Sequence, residues 1–235
     1  MSKQSQQPVL SCRDLRFAWS EHSETLKLPD FDVAPGERIF VCGPSGSGKS
    51  TLLGLIAGVI APDEGSVHSL GQSLSTLRAY QRDRFRADHI GFIFQQFNLL
   101  SYLDVIDNVL LSCSFSVRRA TRAAARHPPR DEAGRLLQAL GLDPAVLARR
   151  SVGALSVGQQ QRVAAARALI GGPELIVADE PTSALDADAR DGFVTLLLDE
   201  CARHGSSVVF VSHDMALERH FDRTIRLCAP VGMAS

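Results

Sequence analysis

The sequence predicts an α/β fold in which a mostly parallel sheet is covered on both faces. Three observations carry this. A short apolar run, Arg38-Ile39-Phe40-Val41-Cys42, leads through a glycine-rich stretch into an apolar helix. Two further short runs, Leu175 to Ala178 and Val208 to Val211, are separated by a helical segment. The stretch from Leu99 to Leu155 has helical spacing, which marks an insertion between strands.

In chain order, Val9 to Trp19 mixes alternating and clustered apolar positions and reads as an edge strand, followed by a polar turn at Ser20 to Glu24. Pro35-Gly36 is a tight turn, and Arg38 to Cys42 is a buried central strand bounded by glycine. After the glycine-rich loop, Lys49 to Ala57 reads as a helix. Asp63-Glu64-Gly65 turns the chain into a short strand at Ser66 to Ser69, and charged Gln81 to Asp88 is helical. Ile90 to Phe94 is another short apolar run ending at Gln95. Within the helical middle, Asp131 reads as an N-cap, with Leu136, Leu137 and Leu140 at helical spacing before Gly141. A helix over Ala187 to Arg203 separates the next two strands, and a last strand covers Thr224 to Leu227. Strands alternating with helices imply parallel pairing. No repeat or low-complexity linker interrupts the chain, which reads as one domain with a helical insertion.

Composition narrows the function classes. With 235 residues, 45% hydrophobic and 22% charged, the chain has the make-up of one globular domain with a well-buried core. A net charge of -1 and a pI of about 6.6 give no basic field for nucleic acid. Met1 to Gln7 is polar, without the apolar stretch of a signal peptide. The longest apolar run, Leu52 to Ala61, falls short of the roughly 20 residues that span a bilayer. The chain is therefore expected to be neither secreted nor transmembrane, so a membrane role requires a partner. Five cysteines without a C-x-x-C pair fit reduced thiols and argue against a zinc site.

Gly43-Pro44-Ser45-Gly46-Ser47-Gly48-Lys49-Ser50 matches G-x-x-x-x-G-K-[ST], and with Thr51 forms the predicted phosphate-binding segment. Backbone N–H groups must wrap the phosphates, and glycines supply the required dihedrals and close approach. The following helix offers free N–H groups and its positive dipole end. Lys49 should reach the β- and γ-phosphates and the Ser50 hydroxyl should bind Mg²⁺. A flexible Gly/Ser linker would not sit between a buried strand and an apolar helix. Leu175 to Ala178 runs directly into Asp179-Glu180, at a strand end where such sheets face their ligand. Asp179 is placed to hold Mg²⁺ through water, and Glu180 to polarise an attacking water.

Leu155-Ser156-Val157-Gly158-Gln159-Gln160-Gln161-Arg162-Val163 resembles the ABC signature. With Ala178-Asp179-Glu180-Pro181-Thr182-Ser183-Ala184-Leu185-Asp186, Val211-Ser212-His213-Asp214 and Phe94-Gln95-Gln96-Phe97-Asn98, it makes the chain similar to ABC ATP-binding domains over nearly its whole length. That resemblance implies a P-loop NTPase (RecA-like) core over 1–94 and 163–235, a helical subdomain over about 95–162, and an N-terminal antiparallel β subdomain. It implies ATP and Mg²⁺ as cofactors. Gln95 would contact Mg²⁺ and the attacking water, and His213 would hold the γ-phosphate and Glu180 in register. Ser183 to Asp186 would cross to a second protomer. Ser156, Gly158 and Gln159 would contact ATP held by that protomer, in a homodimer with ATP sandwiched between copies. An aromatic near the end of the first strand would stack on adenine, and Trp19 is the candidate over Phe17. The chain departs from the pattern at Val157, where the family usually has glycine, which bears on how tightly the sandwich closes. It also lacks the usual proline before the signature, having Ser151-Val152-Gly153-Ala154.

Soluble ABC ATPases acting on ribosomes, DNA or chromosomes carry paired domains, long coiled coils or zinc modules, and none is present. The resemblance therefore favours the motor subunit of a transporter, with a separate membrane permease, at the cytoplasmic face of the inner (plasma) membrane, and without nucleic acid. Ile90 to Leu100 and Asp107-Asn108-Val109 resemble the lipoprotein-releasing and macrolide-exporting group, as do Arg82, Arg84 and Arg86. Ser183-Ala184-Leu185-Asp186 departs from that group's Gly-Asn-Leu-Asp. An importer subunit for amino acids or a similar solute shares the same motifs and remains the alternative. Arg119, Arg122 and Arg126 share a helix face, which reads as solvated, with lipid headgroups or the permease as the sharper option.

Overall fold

The computed structural model describes residues 7–19, 25–125, 127–147 and 150–228. The N-terminal residues 1–6, the turn expected at Ser20 to Glu24, and Arg126 lie outside the described residues.

The chain begins with β1 (Leu10–Phe17), β2 (Leu26–Lys27), β3 (Phe31–Val33) and β4 (Arg38–Cys42), then α1 (Lys49–Ile56), β5 (Glu64–Ser69), β6 (Gln72–Ser73), α2 (Ala79–His89) and β7 (Ile90–Ile93). The insertion supplies α3 (Val105–Phe115), α4 (Val117–Ala123), α5 (Pro129–Ala139), α6 (Pro144–Leu147) and α7 (Val157–Leu169). β8 (Leu175–Asp179), α8 (Ala187–His204), β9 (Ser207–Val211) and β10 (Arg223–Arg226) complete it.

Two sheets form. One is wholly parallel, in the order β10-β4-β9-β8-β7. The other is antiparallel, in the order β2-β1-β5-β6, with β3 also pairing β1. β1 is therefore flanked on both sides and is not the edge strand its pattern suggested. Its partners β2 and β3 have only two and three residues, too short to show a period in sequence.

The pleat of the parallel strands sorts their side chains between two cores. Phe40, Ile176, Ala178, Val208 and Phe210 face a helical layer containing residues of α3, α5, α7 and α8. Ile39, Val41, Leu175, Val177, Val209 and Val211 face α1 and the antiparallel sheet. The result is three layers around a sheet buried on both faces. Phe40, Phe193 and Phe210 are fully buried, each worth about 1.5–3 kcal/mol of transfer free energy.

β7 and α7 meet backbone to backbone. A Cβ added at Gly91 would lie 2.3 Å from the Ala168 carbonyl oxygen, so only glycine allows the approach.

α5 begins two residues before Asp131, with Pro128 at its N-cap and a proline in its first turn. Asp131 and Glu132 instead lie inside that turn, where their charge favours the positive end of the helix. The arginine face also differs from expectation. Arg119 is only 3% exposed and donates to the carbonyls of Ile170, Arg167 and Ala168, closing the C-terminus of α7. Arg118 and Arg122 pair with Glu174. Of the expected face, Arg119 is thus buried rather than solvated, whereas Arg122 stays exposed while paired with Glu174. Among the described residues no helix is long and apolar enough to cross a membrane.

Candidate active site

Strand register gathers the site at the carboxyl end of the parallel sheet. Val41 pairs with Val211, and Val211 with Asp179, so these three share one rung. The chain leaves that rung into Gly43 from β4, into Glu180 from β8 and into His213 from β9. Ile93 pairs with Ala178, so β7 ends at the same end of the sheet as the carboxylate pair, two residues before Gln95.

The loop from β4 is shaped by close contact. A Cβ at Gly43 would meet the Leu227 carbonyl and Ser47 Oγ, each at 2.6 Å. Gly48 has φ of 87°, a left-handed conformation natural to glycine, and forms the N-cap of α1. α1 has neither a side-chain cap nor an acidic residue in its first turn. Its first N–H groups and its dipole are therefore left for an external anion. Lys49 Nζ donates to the carbonyls of Gly43, at 2.8 Å, and Pro44, at 2.9 Å, which folds the ammonium back over the loop. Pro44, Ser45 and Gly46 form its exposed crest, whereas Ser47 and Thr51 are buried. Ser47 Oγ finds no hydrogen-bond partner among the described residues.

Across from the loop, burial pushes the Asp179 carboxyl above its ordinary range. A hydrogen bond with Ser50 opposes that rise, the Glu180 charge adds to it, and Lys49 lowers it. Glu180 Oε2 lies 2.9 Å from His213 Nδ1. A carboxylate only accepts, so Nδ1–H donates in this contact. Glu180 takes φ of 42°, and its N–H bonds to the Val211 carbonyl at 3.1 Å. Non-glycine residues are rarely held in the left-handed region except where surrounding structure imposes it, and such positions cluster at functional sites.

Trp19 is 68% exposed and meets Phe17 edge-on, with centroids 5.1 Å apart. Phe17 is buried at 9%, so of the two aromatics Trp19 has a free face. Phe17 pairs with Leu26, whose side chain lies against Gly48. That brings the end of β1 beside the phosphate loop.

Other expected site residues lie apart from this cluster. Ser156 caps α7: its Oγ accepts from Gln159 N at 3.3 Å, and Gln159 Oε1 accepts from Ser156 N at 3.0 Å. Gly158 faces Leu185, and the Val157 side chain points outward without disturbing the cap. None of their described contacts is with the phosphate loop. Asp186 caps α8 through Ala189 N at 2.8 Å.

One connection has no signature in the residue pattern. Arg190 donates to the Leu185 carbonyl at 2.8 Å and to Asp214 at 2.6 Å, tying the segment after Glu180 to the residue after His213. A run of Arg and Asp at helical positions carries no signal for such a bridge.

A parallel sheet that delivers a glycine loop, an uncapped helix N-terminus and a carboxylate pair to one end defines a P-loop nucleotide-binding domain. The ABC transporter family model matches residues 26–183. The chain is 40% identical over 224 residues to the macrolide export ATP-binding/permease protein MacB 1 of Aeromonas hydrophila, covering 94% of this chain and 33% of that protein. It thus spans about a third of that relative's length. It is 35% identical to the lipoprotein-releasing system ATP-binding protein LolD of Pseudomonas fluorescens, covering 95% of this chain and 96% of LolD. A solved dimeric post-hydrolysis state of the cassette MJ0796, bound to ADP and Pi, aligns with TM-score 0.80 at 35% identity, over 93% of this chain and 94% of that one. The chain belongs to the ABC transporter family, as an ATP-binding cassette of the MacB and LolD kind.

Proposed function

We propose that this chain hydrolyses MgATP as the motor subunit of a transporter of the exporter or mechanotransmission type. Two copies close around ATP and drive a separate permease from the cytoplasmic face of the membrane. The observation that carries the reading is the placement of Glu180 and His213, in contact with each other, at the same sheet end as the Gly43–Ser50 loop.

The residues fit Mg²⁺. The Ser50 hydroxyl is near enough to the Asp179 carboxyl to lower its proton affinity, and both are the hard oxygen donors that this ion takes. Bound there, Mg²⁺ would supply positive charge that offsets the charge on the phosphates. Ser47 Oγ, buried without a hydrogen-bond partner among the described residues, is available to a ligand seated in the loop. The N–H groups at the start of α1 bind the phosphates, and Lys49 exchanges its loop carbonyls for phosphate oxygens. Glu180 orients and polarises the water that attacks the γ-phosphorus, and His213 holds Glu180 through Nδ1–H. Gln95 positions that water from β7. Trp19 stacks on adenine. Ser156, Gly158 and Gln159 serve the nucleotide of the second copy, as the exposure of Ser156 at the start of α7 supports, and Asp186 acts near them across the interface.

Phosphate release from MgATP, together with recovery from detergent-solubilised membranes, tests this. A separate membrane protein is expected to co-purify. Its identity as a four-helix permease with a large extracytoplasmic domain, or as a solute importer, decides the transporter type. Recovery of ribosomes or DNA would overturn the transport reading.

A further inference from the structure

Arg167 lies in the last turn of α7 and is buried. Its guanidinium donates to the carbonyls of Phe97 and of Asn98, the latter at 2.6 Å. Phe97 and Asn98 have φ of 57° and 49°. Asparagine tolerates that region, but for a bulky residue such as phenylalanine it is uncommon. The same turn is closed by Phe97 N to the Phe94 carbonyl at 3.1 Å and by Asn98 N to the Gln96 carbonyl at 2.6 Å. It is the turn that carries Gln95 out of β7.

No acidic partner of Arg167 is found among the described residues. A buried unpaired cation is a poor device for stability alone. Burial accordingly lowers its proton affinity with no nearby charge to restore it. The planar fork is instead committed to two neutral carbonyls in consecutive left-handed residues, a geometry that a lysine point charge cannot reproduce. Arg167 is itself anchored, since its own carbonyl accepts from Ser112 Oγ at 2.9 Å and from Arg119 Nη2 at 3.1 Å.

We propose that Arg167 is a positioning residue for ATP hydrolysis, holding the Gln95–Asn98 turn in its left-handed form so that Gln95 stands beside Asp179 and Glu180. This rests on the role assigned to Gln95 above. Arg119 is the internal control. It too is a buried arginine serving carbonyls at the end of α7, but it has no described contact with the turn.

The test compares Arg167→Met, Arg167→Lys, Arg119→Met and Gln95→Ala in the full chain. It reads kcat and KM for MgATP, and amide hydrogen exchange over residues 94–100. Small misplacements remote from the chemistry can cost about 100-fold, so Arg167→Met is expected to lower kcat at least about 10-fold with KM changed less than about 2-fold. Exchange in the turn should accelerate. Arg167→Lys should fall between it and wild type, and it decides the matter if the methionine variant does not fold. Arg119→Met should leave turn exchange unchanged and kcat within about 3-fold, because Arg119 meets Arg167 only at its backbone carbonyl and not at the guanidinium that holds the turn. On a Gln95→Ala background, Arg167→Met should lower kcat no further, as for two residues acting through one group. Unchanged turn exchange in both Arg167 variants would overturn the proposal. So would an equal kcat loss in Arg119→Met at matched thermal stability. If Gln95→Ala alone leaves kcat intact, the role of Gln95 fails, and with it Arg167's effect on hydrolysis; faster turn exchange would then still establish the hold on the turn.

Discussion

His213 Nδ1 donates to Glu180 Oε2 at 2.9 Å, and Glu180 reaches that contact from a left-handed backbone. The carboxylate is thus fixed from two directions, by its own strained φ and by the imidazole. A positioned base contributes about 10²–10⁴-fold, so Glu180→Gln should lower turnover by about 10³-fold while nucleotide affinity changes little. His213→Ala should lose less, because Glu180 keeps its backbone placement. Phosphate-release kinetics beside equilibrium nucleotide binding check both, and normal turnover in Glu180→Gln would remove it from the mechanism.

Asp179 carries a destabilising charge in the ligand-free protein. Its folded pKa lies above the unfolded value, so ionisation favours the unfolded chain, and stability falls as pH rises through the interval between the two. Asp179→Asn removes that charge. Its melting temperature without nucleotide should rise by about 2 °C at neutral pH, while the further stabilisation by MgATP should disappear. Differential scanning fluorimetry with and without MgATP reads both effects.

Trp19 is the sole tryptophan of the chain, which makes adenine stacking directly observable. Binding of ATP should quench its emission. Trp19→Ala should raise KM by about 5-fold, in keeping with one lost aromatic contact, and leave kcat near wild type. A loss confined to kcat would contradict stacking.

Glu174 joins α2 and α4 to the start of β8. His89 Nδ1 lies 3.0 Å from it, Arg118 2.6 Å and Arg122 3.0 Å. Burial alone would raise its pKa, but hydrogen bonds from His89 and Arg118 and the Arg122 charge bring it down to about 2. A depressed carboxylate contributes stability that is complete above the unfolded value of 4.5 and is lost as pH falls toward about 2. Glu174→Gln should therefore melt lower at pH 7 and lose less than wild type between those two pH values, as chemical denaturation across the range would reveal.

Sequence patterns revealed what is local. β4, its loop, α1 and the Asp179-Glu180 strand end were legible because an apolar run beside a glycine loop has one physical reading. β2 and β3 were not, since two or three residues cannot display a period. Arg119, Arg167 and Arg190 were illegible for another reason. Their acceptors are mostly backbone carbonyls, some as remote as Phe97 from Arg167, and nothing in residue type marks a carbonyl as needing a donor. Ser156 was found through family resemblance, and its capping box with Gln159 shows that the signature also starts its own helix.

The bare contact between Gly91 and Ala168 gives α7 a fulcrum. With no side chain between β7 and the helix, this is their point of closest approach, about which any tilt of α7 as a unit would turn. Ser156 lies twelve residues along, an arm of about 18 Å at 1.5 Å per residue. A tilt of about 10° at that bearing would swing the signature end through about 3 Å, while the Arg167 end, beside the pivot, stays nearly still. Such a tilt would act as a lever with its long arm at the Ser156 end and its short arm on the Gln95 turn.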